Sequence, residues 1–167
     1  AIIAIILTTI LFTTIFTLGS GLMDTIHDQN IRKAGGDGQV VLNYISDEVY
    51  NDVAGNPLID RIAYTKAVSY RLKNPGLERW RSDLWYMDDT ALEFAHYSPI
   101  TGHRPEAENE IIADTKTLDA LGIPAQVGET VSLTYDIKGK SYTTNFTLCG
   151  FWETDSLSNI GRLIVSK

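Results

Sequence analysis

The chain has 167 residues, a formal net charge of −7 and 44% hydrophobic residues, which suits one folded domain with its own core. The negative charge and the scattered basic residues exclude a nucleic-acid-binding footprint, so no nucleic-acid partner is expected. The single cysteine, Cys149, excludes a disulfide within the chain, and its position in the apolar run 146–152 predicts a buried thiol.

The amino-terminal stretch contains no charged residue before Asp24. A helix needs about 20 apolar residues to cross the hydrocarbon layer, so residues 1–23 are predicted to form a transmembrane helix. The alternative is a secretory signal peptide, which needs a basic start, a shorter apolar stretch and a cleavage site. We expect the chain to be part of a longer protein, since it begins at Ala1 without Met. The acidic remainder favours the outer side of the cell membrane.

The predicted membrane helix carries small residues at every fourth position, namely Thr9, Thr13, Thr17 and Gly21. This spacing places them on one face, as in membrane helices that pack closely against other helices. The alternative is that the threonine hydroxyls only bond to carbonyls of the preceding turn. The sequence leaves both interpretations open.

Residues 24–38 are predicted to form a helical stalk that ends in a flexible linker at Gly35-Gly36, and residues 39–167 an outer domain. In that domain, residues 39–45 read as a strand and Ser46 as the cap of a helix over 47–54. A second strand is expected within 59–72. A strand, a helix and a strand joined by short connections predict two neighbouring strands with the helix on one face.

The rest of the domain alternates short strands and helices, so the fold class is α+β. Thr90 and Glu93 resemble a capping box for a helix that ends near His96, and Asp114 or Thr115 is the expected cap of a helix over 116–121. Gly122 ends that helix. Strands are predicted over residues 81–87, 110–113, 131–137, 141–152 and 163–165, with a loop over 98–109 and a hairpin turn at Lys138-Gly139-Lys140.

Residues 108–155 have a distinctive order of elements, ENEIIADTKTLDALGIPAQVGETVSLTYDIKGKSYTTNFTLCGFWETD. An apolar strand at Ile111-Ile112 is followed by a helix that ends in Leu121-Gly122, by a connection from Pro124 to Gly128, and by a hairpin that ends at Gly150-Phe151. This order resembles the extracytoplasmic domain of FtsX-like, MacB-type ABC transporter permeases. The smaller domain is more similar to permeases of Gram-positive bacteria, so an outer-membrane channel partner is not expected.

The resemblance implies a domain held between two membrane helices, with a ferredoxin-like βαβ portion at 39–72 and a second small mixed lobe at 80–128. It also implies a permease subunit that couples ATP hydrolysis by a cytoplasmic ABC ATPase to substrate export or envelope remodelling. The expected partners are that ATPase, other membrane helices of the permease or a second copy of it, and an unknown substrate or envelope protein. The alternative is the extracellular sensor domain of a membrane receptor kinase.

Motifs for catalysis are not found in the sequence, so we expect no enzymatic activity, no cofactor and no bound metal. There is no P-loop, no HExxH and no GxSxG sequence. Glu93 and His96, or Asp88-Asp89 with Glu93, read as solvated or capping residues rather than metal ligands. Trp80, Trp85, Tyr86 and Trp152 are candidate partner-binding aromatics, with core packing as the alternative.

Overall fold

The computed structural model describes residues 2–34, 36–97, 100–154 and 158–166, without the side chains at 24 and 27–34. The chain divides into two compact units, Ala1–Gln39 and Val40–Lys167. The first unit contains one long helix and the second a mixed α+β domain.

The first unit is built on α1, Ile2–Ala34, a helix of 33 residues. Its stretch Ile2–Met23 is long and apolar enough to cross a membrane, with a mean hydropathy of 2.3, and none of it is buried within the protein. No other helix in the described parts of the chain meets these criteria. The predicted helical continuation beyond Asp24 is confirmed, since α1 runs on without a break to Ala34.

The described residues of the second unit form three short helices and seven strands. The helices are α2 (Asp47–Ala54), α3 (Asp89–Phe94) and α4 (Thr115–Leu121). The strands are β1 (Thr65–Ser69), β2 (Ser82–Met87), β3 (Thr101–Gly102), β4 (Glu110–Asp114), β5 (Thr130–Ile137), β6 (Lys140–Trp152) and β7 (Gly161–Val165). The predicted α+β class is therefore confirmed.

All seven strands belong to one mixed sheet in the order β1-β2-β7-β4-β6-β3, with β5 paired to β6 outside this path. The pairs β2–β7 and β4–β6 are parallel, and the other pairs are antiparallel. The register shifts between Ile111 and Ile112 of β4, so the sheet is locally distorted where β6 begins to pair with β3.

Alternate residues of the central strands point to opposite faces, and both faces are covered. On one face Ile111, Leu84, Leu163 and Leu148 pack with Leu118 of α4 and the apolar side chains of β5. On the other face Ile112, Ile164, Cys149 and Trp152 pack with Leu92 of α3. Strands that are buried on both sides have continuous apolar runs, which is why EIIAD and GRLIV contain adjacent apolar residues.

Several sequence predictions are confirmed at the level of single residues. Ser46 caps α2, and its hydroxyl accepts a bond from the Val49 backbone N–H at 3.4 Å. Gly122 ends α4 in the left-handed conformation, with φ of 70°. The β5–β6 hairpin turns at Lys138 and Gly139, which both have positive φ as a two-residue hairpin loop requires.

The strand predicted over 39–45 is wrong, because these residues form no strand. Tyr44 has a φ of 58°, which is incompatible with an extended strand, and the apolar side chains of this segment are exposed. The following helix and β1 form without it, so the ferredoxin-like arrangement is not confirmed.

The predicted cap at Thr90 is also wrong, because Asp88 caps α3 and accepts a bond from the Ala91 backbone N–H at 2.8 Å.

Candidate functional site

The four small residues of the predicted packing stripe lie on the exposed surface of α1. The Thr9 hydroxyl donates to the Ile5 carbonyl, and the Thr13 hydroxyl donates to the Thr9 carbonyl, each at 2.8 Å. These bonds satisfy the Thr9 and Thr13 hydroxyls within the helix, and Gly21 adds bare backbone to the same face. A close approach by another helix is therefore sterically open along this face, with no unsatisfied hydroxyl at Thr9 or Thr13 to bury.

The four candidate aromatics do not form one surface. Trp152 is 5% exposed and stacks on Tyr97 at a ring separation of 4.7 Å. Trp80 is half-buried, and its indole N–H donates to the Thr117 hydroxyl at 3.0 Å. Trp85 lies beneath the Arg162 guanidinium, at 4.9 Å, whereas Tyr86 follows it in β2 and therefore points to the opposite face. The structure brings Trp85 and Trp152 to one face of the sheet, where Trp152 is buried and Trp85 is partly buried.

A buried polar cluster lies on the same face as Trp85. The Asp83 side chain is 4% exposed, and it is 3.5 Å from Arg81 and 3.7 Å from Arg162. Three buried atoms of this cluster have no hydrogen-bond partner within the described residues, namely Asp83 Oδ1, Trp85 Nε1 and Arg162 Nη1. A charge buried with such incomplete pairing is costly, so polar groups supplied by water or a partner would stabilise this cluster.

Asp114 organises the neighbouring end of the sheet. Its carboxylate is buried and accepts bonds from the Thr117 backbone N–H at 2.9 Å, the Thr117 hydroxyl at 2.6 Å, the Thr154 hydroxyl at 2.8 Å and the Arg162 backbone N–H at 2.7 Å. These bonds join α4, β6 and β7 to the end of β4. With its lone pairs so engaged, Asp114 is a structural residue rather than a general base.

A second exposed feature is the apolar segment of residues 40–59, which surrounds α2. Tyr44 is 99% exposed and Leu58 is 91% exposed, while Val40 and Val41 are also mostly in solvent. Residues of this kind are normally covered, and a group of them on a surface marks an interaction site. The sequence is apolar here, and its composition predicts a strand over 39–45 rather than an exposed segment.

Three potential metal ligands from separate segments converge at the β3–β6–β4 junction. They are His103 after β3, Glu110 at the start of β4 and Cys149 in β6, and their ligand atoms all lie within 4.8 Å of one another. Cys149 is 2% exposed, and burial raises the pKa of its thiol to about 11. Backbone hydrogen bonds from Ala107 and Glu106 lower the pKa of Glu110. The sequence carries no signal for this group, because its members are seven and 39 residues apart in the chain.

Comparisons with models of known protein families and with curated proteins give no match for this sequence.

Proposed function

We propose that this chain is the first membrane helix and outer domain of an FtsX-like, MacB-type ABC transporter permease. In this proposal an ABC ATPase in the cytoplasm hydrolyses ATP, and the domain transmits the resulting motion to a substrate or envelope protein. The domain itself catalyses nothing. The residues 39–72, which contain α2 and β1 but not the first strand of a βαβ unit, would correspond to the ferredoxin-like portion of that family, and 80–128 to its second lobe.

The observation that carries the proposal is the continuity of α1. The helix does not stop at Met23, where the apolar stretch ends, but continues for eleven residues to Ala34. At 1.5 Å per residue this extension is about 16 Å long. A rigid extension of this kind transmits a tilt or shift of the membrane segment beyond the bilayer surface, which a flexible tether does not.

Two exposed surfaces also support a role within a larger assembly. The Thr9–Thr13–Thr17–Gly21 stripe suits a neighbouring membrane helix, either of the same permease or of a second copy. The apolar segment 40–59 needs a covering partner, and the other extracytoplasmic parts of a permease are the kind of surface that would cover it. A self-contained anchored enzyme requires neither surface.

The test is affinity purification of the full protein from its native membrane in mild detergent. We expect an ABC ATPase to co-purify and the complex to hydrolyse ATP in a vanadate-sensitive reaction. A complex with no such ATPase, or a kinase core on the same polypeptide, would contradict the proposal.

A matched pair of variants tests the membrane stripe within that experiment. Thr13→Trp places a bulky side chain on the stripe, whereas Ile15→Trp places the same side chain about 200° away around the helix. We expect Thr13→Trp to reduce recovery of the ATPase and Ile15→Trp to leave it unchanged, with both variants inserted in the membrane. Equal recovery from the two variants would exclude packing through the stripe.

A further inference from the structure

We propose that His103, Glu110 and Cys149 form a binding site for a zinc ion with one open coordination position. The site lies where β3, β4 and β6 meet. It does not depend on the proposed transport function, because it rests only on side chains within the outer domain.

The histidine is oriented as a metal ligand. Its Nδ1 atom lies 2.8 Å from the Arg104 carbonyl oxygen, and since a carbonyl can only accept, Nδ1 carries the proton. In a neutral imidazole this leaves the lone pair on Nε2. Metal-bound histidines commonly donate their other N–H to a backbone carbonyl in this way.

The carboxylate is oriented in the same manner. Glu110 Oε2 accepts bonds from the backbone N–H groups of Glu106 at 2.8 Å and Ala107 at 3.0 Å. Its other oxygen, Oε1, lies 3.8 Å from His103 Nε2, which is longer than the roughly 2.7–3.2 Å of an N–H···O hydrogen bond. Each residue therefore uses one polar atom in a contact with the backbone and keeps its second polar atom available for a metal ion.

The distances between the ligand atoms match those of a metal site once the atoms move slightly closer together. Zinc bonds of about 2.0–2.3 Å place the ligand atoms of a tetrahedral site about 3.3–3.8 Å apart. The Nε2–Oε1 distance is already 3.8 Å, and one ligand atom of each of the three residues lies within 4.8 Å of those of the other two. Rotation of His103, whose side chain is 54% exposed, provides the remaining movement of about 1 Å.

The types of ligand select the ion. A thiolate with an imidazole and a carboxylate suits a borderline-soft divalent ion such as Zn²⁺, whereas Mg²⁺ and Ca²⁺ prefer oxygen ligands alone. The Cys149 thiol donates its S–H to the Ile111 carbonyl at 3.4 Å. When a metal ion binds, the thiol proton would be released to solvent and the ion would bond to the sulfur in its place. Three protein ligands leave a fourth position, on the solvent side, for water or a donor from a partner.

The experiment is a titration of the metal-free full chain in detergent micelles with Co²⁺, which reports thiolate coordination by a near-ultraviolet charge-transfer band, followed by calorimetry with Zn²⁺. We expect the band in the wild type and its loss in Cys149→Ser. His103→Gln and Glu110→Gln should weaken Zn²⁺ binding by more than the roughly 10- to 100-fold that loss of an outer-shell partner costs.

His96→Gln is the matched control, because it removes another exposed histidine of the same domain and should leave the affinity unchanged. His103→Gln alters an exposed side chain and Glu110→Gln a partly exposed one, so they report on binding even if Cys149→Ser fails to fold. Absence of the band at saturating cobalt would overturn the proposal. A band and a Zn²⁺ affinity that are unchanged in His103→Gln and Glu110→Gln would overturn it equally.

Discussion

Asp114 shows how one residue fixes several elements at once. As the cap of α4 it satisfies the Thr117 backbone N–H, and its second oxygen receives the Arg162 backbone N–H across the sheet. The sequence predicts it as one of two candidate caps, with Thr115 as the other, because either residue precedes a short helical pattern. The sequence cannot identify its bonds to Thr154 and Arg162, because these depend on which strands become neighbours.

Asp114→Ala should destabilise the domain by about 3 kcal/mol or more, since it removes a cap worth about 1 kcal/mol and leaves buried donors unsatisfied at about 1–3 kcal/mol each. The measurement is chemical denaturation of the full chain in detergent, followed by tryptophan fluorescence. Asp119→Ala, an exposed acidic residue of the same helix, is the control and should stay within about 0.5 kcal/mol of the wild type. Equal losses in the two variants would show that the Asp114 bonds are not important for stability.

The β5–β6 hairpin is the element whose stability should respond most clearly to acid. Asp136 is 2.7 Å from the Lys73 ammonium and accepts a bond from the Ser141 hydroxyl at 2.6 Å. The Lys73 and Ser141 hydrogen bonds lower the pKa of Asp136. A carboxyl with a lowered pKa stabilises the fold above the pKa it has when unfolded, about 3.9, and this contribution is lost as the pH falls through the folded value.

Asp136→Asn should therefore be less stable than the wild type at pH 7, and the difference should shrink as the pH falls from about 3.9, the pKa of the unfolded carboxyl, through the lower folded value. The measurement is the free energy of unfolding of both proteins across that range. In a Lys73→Met background the effect of Asp136→Asn should shrink, because the first partner of the carboxylate is gone. If the difference in unfolding free energy between Asp136→Asn and the wild type stays the same at acidic pH, then Asp136 acts through packing rather than charge.

Local elements of the domain were largely predictable, whereas their pairing was not. Ser46, Asp114, Gly122 and the Lys138–Gly139 turn act through neighbours in the chain, and these features formed where they were predicted. The segment 39–45 has the composition of a strand but pairs with no other strand. A strand forms only beside a neighbour, and composition does not show whether that neighbour exists.

The candidate zinc site could not be predicted from the sequence either, because it too depends on which strands pair. Cys149 and Glu110 approach each other only because β4 and β6 pair in parallel with a shift in register, and His103 joins them through the short β3–β6 pairing. The expectation of no bound metal rested on the absence of motifs such as HExxH, whose residues are close together in the chain. In the folded sheet His103 lies beside two further donors that are distant in sequence.

At the scale of the whole molecule, the most direct test concerns the membrane span and the side on which the domain lies. In a Cys149→Ser background, Asn145→Cys places a thiol on an exposed position of β6, and Phe12→Cys places one within the apolar stretch of α1. Intact cells are treated with a membrane-impermeant maleimide, and the membrane fraction is then assayed. We predict labelling at position 145 and none at position 12. Labelling of position 145 only after lysis, or recovery of the protein in the soluble fraction, would contradict a membrane-spanning helix with an outer domain.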